Sequence, residues 1–222
     1  MSLTTTIHQC VILEAPQSAI VRNYSLEAIA RMEVDFRAAL PQEPPFAVGV
    51  SVELEPVGPN INTLALATQD QVFCLSFQRT PSPAQKESVR KILEVQYLSG
   101  FEFPYTIALL ARTLGSNVSG YDLSTLKNGA ITTPGDFFRL YKYGSTISSQ
   151  SINELWDGGI LRGIDAKAAV ALEPNYALRA WLTAMCVTLT LHVFFDHSFL
   201  PQRCKNGYSR LAIRPTNKHA SH

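Results

Sequence analysis

The amino-acid sequence predicts an α/β fold, with strands in the first half of the chain and helices in the second. Alternating apolar and polar residues, typical of strands, dominate residues 46–78, whereas apolar residues recur mostly at helical spacing beyond Asp122. Neither a change of composition nor a low-complexity linker separates the two halves, which favours one domain. We expect this domain to span residues 1–200, followed by a basic, flexible tail over residues 201–222.

The overall composition is that of an ordinary soluble globular protein. Of the 222 residues, 46% are hydrophobic and 17% are charged, and the formal net charge is +1. So small a net charge gives no global field that would attract nucleic acid or anionic lipid. The charge is unevenly distributed, because no acidic residue follows Asp196, and the tail is therefore distinctly basic.

The cysteines indicate a reducing compartment. All four are far apart and form no Cys-x-x-Cys pair: Cys10, Cys74, Cys186 and Cys204. This spacing predicts neither a zinc site nor a disulfide framework. The first ten residues also lack the basic and apolar regions of a signal peptide, so we expect an intracellular protein, cytoplasmic or nuclear.

The first elements are predicted to be a short strand and a helix. The apolar run "CVILEA" at residues 10–15 is typical of a short strand. Residues 24–40 follow with helical spacing of Leu26, Ile29 and Phe36, and a proline-rich stretch then ends the helix.

Three strands are predicted next, as a meander over residues 46–56, 61–68 and 71–78. In the first strand, "FAVGVSVELEP", valines and a leucine alternate with Gly49, Ser51, Glu53 and Glu55. The two carboxylates in mid-strand favour either a metal site or a strand with one solvent-facing side.

Residues 82–95 carry the strongest helix start in the chain. Ser82 suits the N-cap, Pro83 the first helical position, and Gln85 the reciprocal side of a capping box. A short strand at 97–103 and a helix at 104–115 follow, and Gly115 ends that helix.

The remaining segments are predicted to be helical: residues 122–129, 134–144, 151–159, 166–172 and 180–195. The last of these is apolar all round but shorter than the roughly 20 residues that a bilayer requires. We therefore expect a core helix and no membrane partner.

The order of these parts resembles the 3′–5′ exonucleases of the DEDD superfamily, of the ribonuclease D and Werner exonuclease kind. The stretches that carry the resemblance are "VGVSVELEP", "NTLALATQDQVFCLSF", "GFEFPYTIALLARTLG" and "GYDLSTL", and it covers residues 20–195. It implies a ribonuclease-H-like mixed sheet, with a three-strand meander plus further strands, flanked by helices. It also implies phosphodiester hydrolysis by two divalent metals held by four acids.

Carried over position by position, the resemblance leaves one of those acids in place. Glu53 matches the glutamate of the first strand, but Ser51, Thr106 and Ala184 stand where the family has metal-binding aspartates, and Glu102 replaces an asparagine. Serine, threonine and alanine lack the charged oxygens that Mg²⁺ prefers. The sequence therefore predicts vestigial catalytic positions, no bound metal and no other cofactor.

Three functions follow as hypotheses. The first is an inactive exonuclease-like scaffold or adaptor in RNA metabolism or RNA silencing, whose partner is another protein or a second copy of the chain, with weak RNA binding as an addition. The second is an active Mg²⁺- or Mn²⁺-dependent exonuclease that recruits other acids: Asp70, Asp122, Asp136, Asp157 or Asp165.

The third hypothesis is a nucleic-acid-binding module that uses the basic tail. Its candidate contact residues are Arg203, Lys205, Tyr208, Arg210 and Arg214. A solvated terminus without such a role is an equally good interpretation of the same residues.

Overall fold

Eight strands form one mixed sheet in the part of the chain that the computed structural model describes. That part comprises residues 4–10, 17–40, 47–56, 60–94, 97–101, 103–115, 118–125, 130–141, 149–157, 175–194 and 203–204. The strands are β1 (Thr4–Cys10), β2 (Gln17–Ser25), β3 (Ala47–Leu54), β4 (Ile61–Ala67), β5 (Gln71–Ser76), β6 (Tyr97–Gly100), β7 (Gly120–Asp122) and β8 (Arg203–Cys204).

The strand order across the sheet is β1-β2-β5-β4-β3-β6-β7-β8. Strands β3, β4 and β5 form the predicted antiparallel meander. Strand β6 pairs with β3 in parallel and β7 pairs with β6 in parallel, while β2 is parallel to β5 at the other end of the meander. Strand β3 is thus an interior strand, with β4 on one side and β6 on the other.

Six helices flank the sheet in the described ranges. They are α1 (Ile29–Ala39), α2 (Pro83–Leu93), α3 (Phe103–Leu114), α4 (Pro134–Tyr141), α5 (Ser149–Trp156) and α6 (Asn175–Phe194). The predicted α/β class, with a mixed sheet flanked by helices, is therefore confirmed, but α1, α2 and α3 lie among the strands and do not follow them.

One side of the sheet, which we call the front face, carries large apolar side chains. Its buried strand residues are Val48, Val50, Leu64, Leu66, Phe73 and Leu75. Helices α1, α2 and α3 cover this face with their own buried stripes, among them Phe36, Ile92 and Leu110. Burial of these side chains supplies most of the hydrophobic driving force on this side.

The opposite side, which we call the back face, is lined by small residues. Gly49, Ser51, Ala65, Ala67 and Cys74 occupy positions that alternate with those of the front face. Helix α6 lies on this face with every residue from Ala177 to Val187 buried except Arg179, and α4 and α5 pack beside it. The predicted core helix is thus confirmed; it begins before Ala180, at Asn175.

The prediction for the N-terminal segment was wrong in part. Residues Tyr24 and Ser25, expected to open a helix, end strand β2, and α1 begins only at Ile29 after a short 3-10 turn. The cause is non-local, because Tyr24 pairs with Leu75 and Ser25 with Ser76 of the distant strand β5. Of the strand expected over residues 10–15, Cys10 ends β1 and the rest lies outside the described residues.

Local signals predicted other elements well. The capping box of α2 is formed, since the Gln85 backbone N–H donates to Ser82 Oγ and the Ser82 backbone N–H donates to Gln85 Oε1. Gly115 ends α3 with a φ of +66°, a left-handed conformation that favours glycine.

The helix predicted over residues 122–129 is only a short 3-10 turn at 123–125 as far as it is described, and residues 166–172 lie outside the described ranges. No described helix combines the length and hydrophobicity needed to cross a bilayer.

Candidate functional site

Strand β3 and helix α6 meet at Gly49, in the middle of the back face. A Cβ atom on Gly49 would lie 2.0 Å from the Ala180 carbonyl oxygen and 2.5 Å from the Ala184 backbone nitrogen. The backbone of α6 therefore lies directly against the strand. Only glycine, which has no Cβ atom, permits so close an approach. This contact fixes where the expected catalytic positions lie.

Two of the expected catalytic positions, Ser51 and Ala184, are buried by the packing of α6 on β3. Ala184 is fully buried in the helix–strand contact, and Ser51, two residues beyond Gly49 on the same face of β3, is 7% exposed. Neither side chain carries charge. Of the two alternatives for this strand, a solvent-facing side does not apply at Gly49 and Ser51, because α6 covers them.

Glu53 lies at the margin of the same contact and is half-buried. Its Oε2 atom accepts hydrogen bonds from Asn62 Nδ2 at 2.9 Å and from Thr63 Oγ1 at 3.3 Å. Thr63 is the cross-strand neighbour of Glu53 in the β3–β4 pair. The carboxylate thus has hydrogen-bond partners within its own hairpin.

Two further ionisable groups lie close to this carboxylate. Burial and, to a smaller extent, the negative charge of Glu53 together raise the pKa of the Cys74 thiol to about 12. Burial also raises the pKa of Tyr176, in the first turn of α6, to about 12, with Cys74 and Glu53 acting in the same direction. At neutral pH the Cys74 thiol and the Tyr176 phenol are therefore protonated, and Cys74 is a weak nucleophile.

Thr106 lies on α3, which covers the front face, and is 8% exposed. Glu102, the other altered position in that motif, lies outside the described residues. The structure therefore brings Ser51, Glu53 and Ala184 to one side of the sheet, whereas Thr106 belongs to a helix of the other side.

The acids named for an active exonuclease are dispersed. Asp122 Oδ1 accepts hydrogen bonds from the backbone N–H of Phe103 at 3.4 Å and from Ser124 Oγ at 2.7 Å, so it holds the start of α3. Asp70 and Asp157 are exposed, and Asp165 lies outside the described ranges.

Asp136 has a local role at the start of α4. Burial raises its pKa, but hydrogen bonds from Thr132 and Thr133 and the charge of Arg139 outweigh that effect, so the pKa is lower than usual.

Among the residues that the structure describes, no three His, Cys, Asp or Glu side chains come together in a group able to hold a metal ion.

The basic tail is described only at its start. The backbone of Arg203 belongs to β8 and pairs with Tyr121 of β7. Lys205, Tyr208, Arg210 and Arg214 lie outside the described residues. The boundary after residue 200 and the role of these side chains in binding nucleic acid stay predictions.

The surroundings of Glu53 were not predicted. The register of the β3–β4 hairpin could have indicated Thr63 as the cross-strand neighbour of Glu53, because both strands are evident in the sequence. No sequence signal pointed to Tyr176, which reaches the cluster from a helix far along the chain.

Two comparisons with known proteins find no relative. A scan against models of protein families finds no match, and a search of curated proteins finds none either. The resemblance to DEDD exonucleases therefore depends on the motifs and the order of elements in this chain.

Proposed function

We propose that the chain is a catalytically inactive 3′–5′ exonuclease-like domain with a ribonuclease-H-like fold. In this proposal it serves as a protein-interaction scaffold or adaptor in RNA metabolism or RNA silencing. The sheet supports the fold assignment, since the meander β3–β4–β5 is extended beyond β3 by the parallel strands β6 and β7. A meander with further strands and flanking helices is what the resemblance implies.

The contact between Gly49 and α6 is the main observation that supports the proposed loss of activity. Ser51 and Ala184 stand where the resemblance implies metal-binding acids, and both are buried and uncharged. Backbone atoms of Ala180 and Ala184 occupy the space beside the strand. Carboxylates buried at this contact without partners would be costly, so the packing favours small neutral residues there.

Glu53 alone is a poor substitute for the four metal-binding acids that the resemblance implies. Two-metal phosphodiester hydrolysis needs two cations held about 4 Å apart, which requires several charged oxygen ligands. Thr106 and Ser51 offer only hydroxyl groups. One carboxylate, already hydrogen-bonded to Asn62 and Thr63, leaves most of that coordination unfilled.

The charge balance favours protein partners over RNA. Binding to a phosphate backbone depends chiefly on neutralising several phosphates with Lys and Arg, and a net charge of +1 gives little general attraction. A second copy of the chain or another protein is therefore the preferred partner in this proposal, with weak RNA binding as an addition.

A nuclease assay tests the proposal. Purified protein is incubated with end-labelled single-stranded RNA and DNA in Mg²⁺ and then in Mn²⁺, beside Glu53→Gln and the matched control Glu55→Gln. We expect intact oligonucleotides with all three proteins. Stepwise shortening from the 3′ end that Glu53→Gln abolishes and Glu55→Gln retains would overturn the proposal in favour of an active exonuclease.

A further inference from the structure

A cleft of about 180 Å³ lies beside α2 and α3, at the end of the β3–β4–β5 meander. Its polar lining includes Glu55, Asn60, Arg79, Lys86, Arg112 and Thr113. They come from the ends of β3 and β5, the start of β4 and the two helices. None of them belongs to the vestigial catalytic positions.

Positive charge prevails in this cleft. Three of its side chains are cationic and one, Glu55, is a carboxylate, which accepts a hydrogen bond from Asn60 Nδ2 at 3.0 Å. Arg79 forms an ion pair with Glu27, which does not line the cleft. Lys86 and Arg112 form no ion pair within the described part of the chain.

The cleft also has a buried apolar floor. Ile61 and Phe77 line it and are 2% and 3% exposed, because both belong to the core of the front face. The cationic side chains thus line the same concave surface as two residues of the core. The volume is below the roughly 300–1,000 Å³ of clefts that enclose drug-sized ligands, so a small charged group fits better than a whole cofactor.

We propose that this cleft binds a phosphate group, with Lys86 and Arg112 as its principal ligands. A guanidinium donates two parallel hydrogen bonds to phosphate oxygens, and an ammonium supplies a compact charge beside it. The Thr113 hydroxyl offers a further donor at the same cleft. The phosphate belongs either to a terminal phosphomonoester or to a phosphodiester backbone. The inference does not depend on the proposed function, because the cleft shares no residue with Ser51, Glu53, Thr106 or Ala184.

Calorimetric titration with inorganic phosphate tests the site. The wild type is compared with Lys86→Gln/Arg112→Gln and with the control Lys91→Gln/Arg139→Gln, which removes the same charges from exposed positions outside the cleft. We expect saturable binding that is at least about tenfold weaker in the first variant and unchanged in the control. Circular dichroism checks that both variants are folded.

Titration with a dinucleotide, with and without a 5′ phosphate, distinguishes the two sources. Binding that requires the 5′ phosphate assigns the cleft to a phosphomonoester, and equal binding of both assigns it to the backbone. The absence of saturable phosphate binding by the wild type, or an equal loss in the two variants, would overturn the inference.

Discussion

The two faces of the sheet are built from the same strands but pack in opposite ways. On the front face, large side chains such as Leu64, Leu66 and Phe73 meet three separate helices. On the back face, Gly49 and Ala65 leave so little side chain that the backbone of α6 reaches the strand. One face is thus held by interlocked side chains, and the other by close approach of a helix to a strand.

If the chain is the inactive exonuclease-like domain that we propose, this difference shows how catalytic positions are lost while the fold is kept. The large apolar residues of the front face include none of the positions that the resemblance links to metals, and Thr106 is the one such position on a front-face helix. The back face carries Ser51, Glu53 and Ala184, and small residues there let α6 cover the strand. Metal-binding acids at these positions would need space and solvent, but in this chain the contact between α6 and β3 occupies that space.

The largest expected effect is on the front face, with Phe73→Ala. Phe73 is fully buried, and its ring centroid lies 5.4 Å from that of Phe36 and 6.3 Å from that of Tyr24. Removing the ring leaves a cavity, so we expect a loss of about 3–5 kcal/mol in the free energy of unfolding, measured by urea denaturation. Tyr105→Ala, at a 56% exposed aromatic residue, is the control and should change stability by about 0.5 kcal/mol or less. Equal effects of the two substitutions would contradict the described front face.

The next effect tests the back face, with Gly49→Ala. A single methyl group would lie 2.0 Å from a backbone oxygen of α6, so the helix must move, and we expect a loss of about 3 kcal/mol. Gly115→Ala is the matched control: no atom lies within 4 Å, and its φ of +66° alone should cost about 1–2 kcal/mol. A Gly49→Ala protein as stable as the wild type would disprove the close contact of β3 and α6.

A smaller effect is expected at the start of α2, one of the front-face helices. Ser82→Ala removes the side-chain acceptor of the capping box, and we expect a loss of about 1 kcal/mol in thermal or urea unfolding. Ser119→Ala, at an exposed position outside any helix, should leave stability nearly unchanged. If both variants match the wild type, α2 depends on packing against the front face and not on its cap.

The smallest effect is confined to alkaline pH and compares one tyrosine from each face. Burial raises the pKa of Tyr24 and of Tyr176 from 10.0 to about 12, so the folded protein binds these protons more tightly than the unfolded chain. This contribution is complete below about pH 10 and is lost as the pH rises towards 12.

Tyr24→Phe and Tyr176→Phe should each flatten that alkaline decline, when the free energy of unfolding is measured by urea denaturation from pH 9 upward. Tyr105→Phe, at an exposed tyrosine, should leave the decline as it is. A decline that is equally steep in all three variants would show that neither buried phenol contributes to it.

Much of the fold could be predicted because its signals are local. Alternation in residues 46–78 predicts the three strands of the meander, and the Ser82 capping box predicts the start of α2 within its own four residues. The apolar composition of residues 180–195 likewise indicated a buried helix. Each of these patterns lies within one element or two neighbouring ones.

The start of α1 could not be predicted in the same way. Helical propensity continues back to Tyr24, but hydrogen bonds to β5 hold Tyr24 and Ser25 in a strand. Pairing between strands that are distant in sequence overrides local preference here, and no single-sequence pattern reports such a partner.

At the candidate site, residue identity alone shows that Ser51, Thr106 and Ala184, the positions that the resemblance links to metals, have no carboxylate. The approach of the α6 backbone to Gly49, and the position of Tyr176 near Glu53 and Cys74, follow from the packed fold and not from the residues themselves. The physical reason is that residue identity limits the chemistry of each position, whereas burial, pKa and the space beside a side chain depend on atoms from distant parts of the chain.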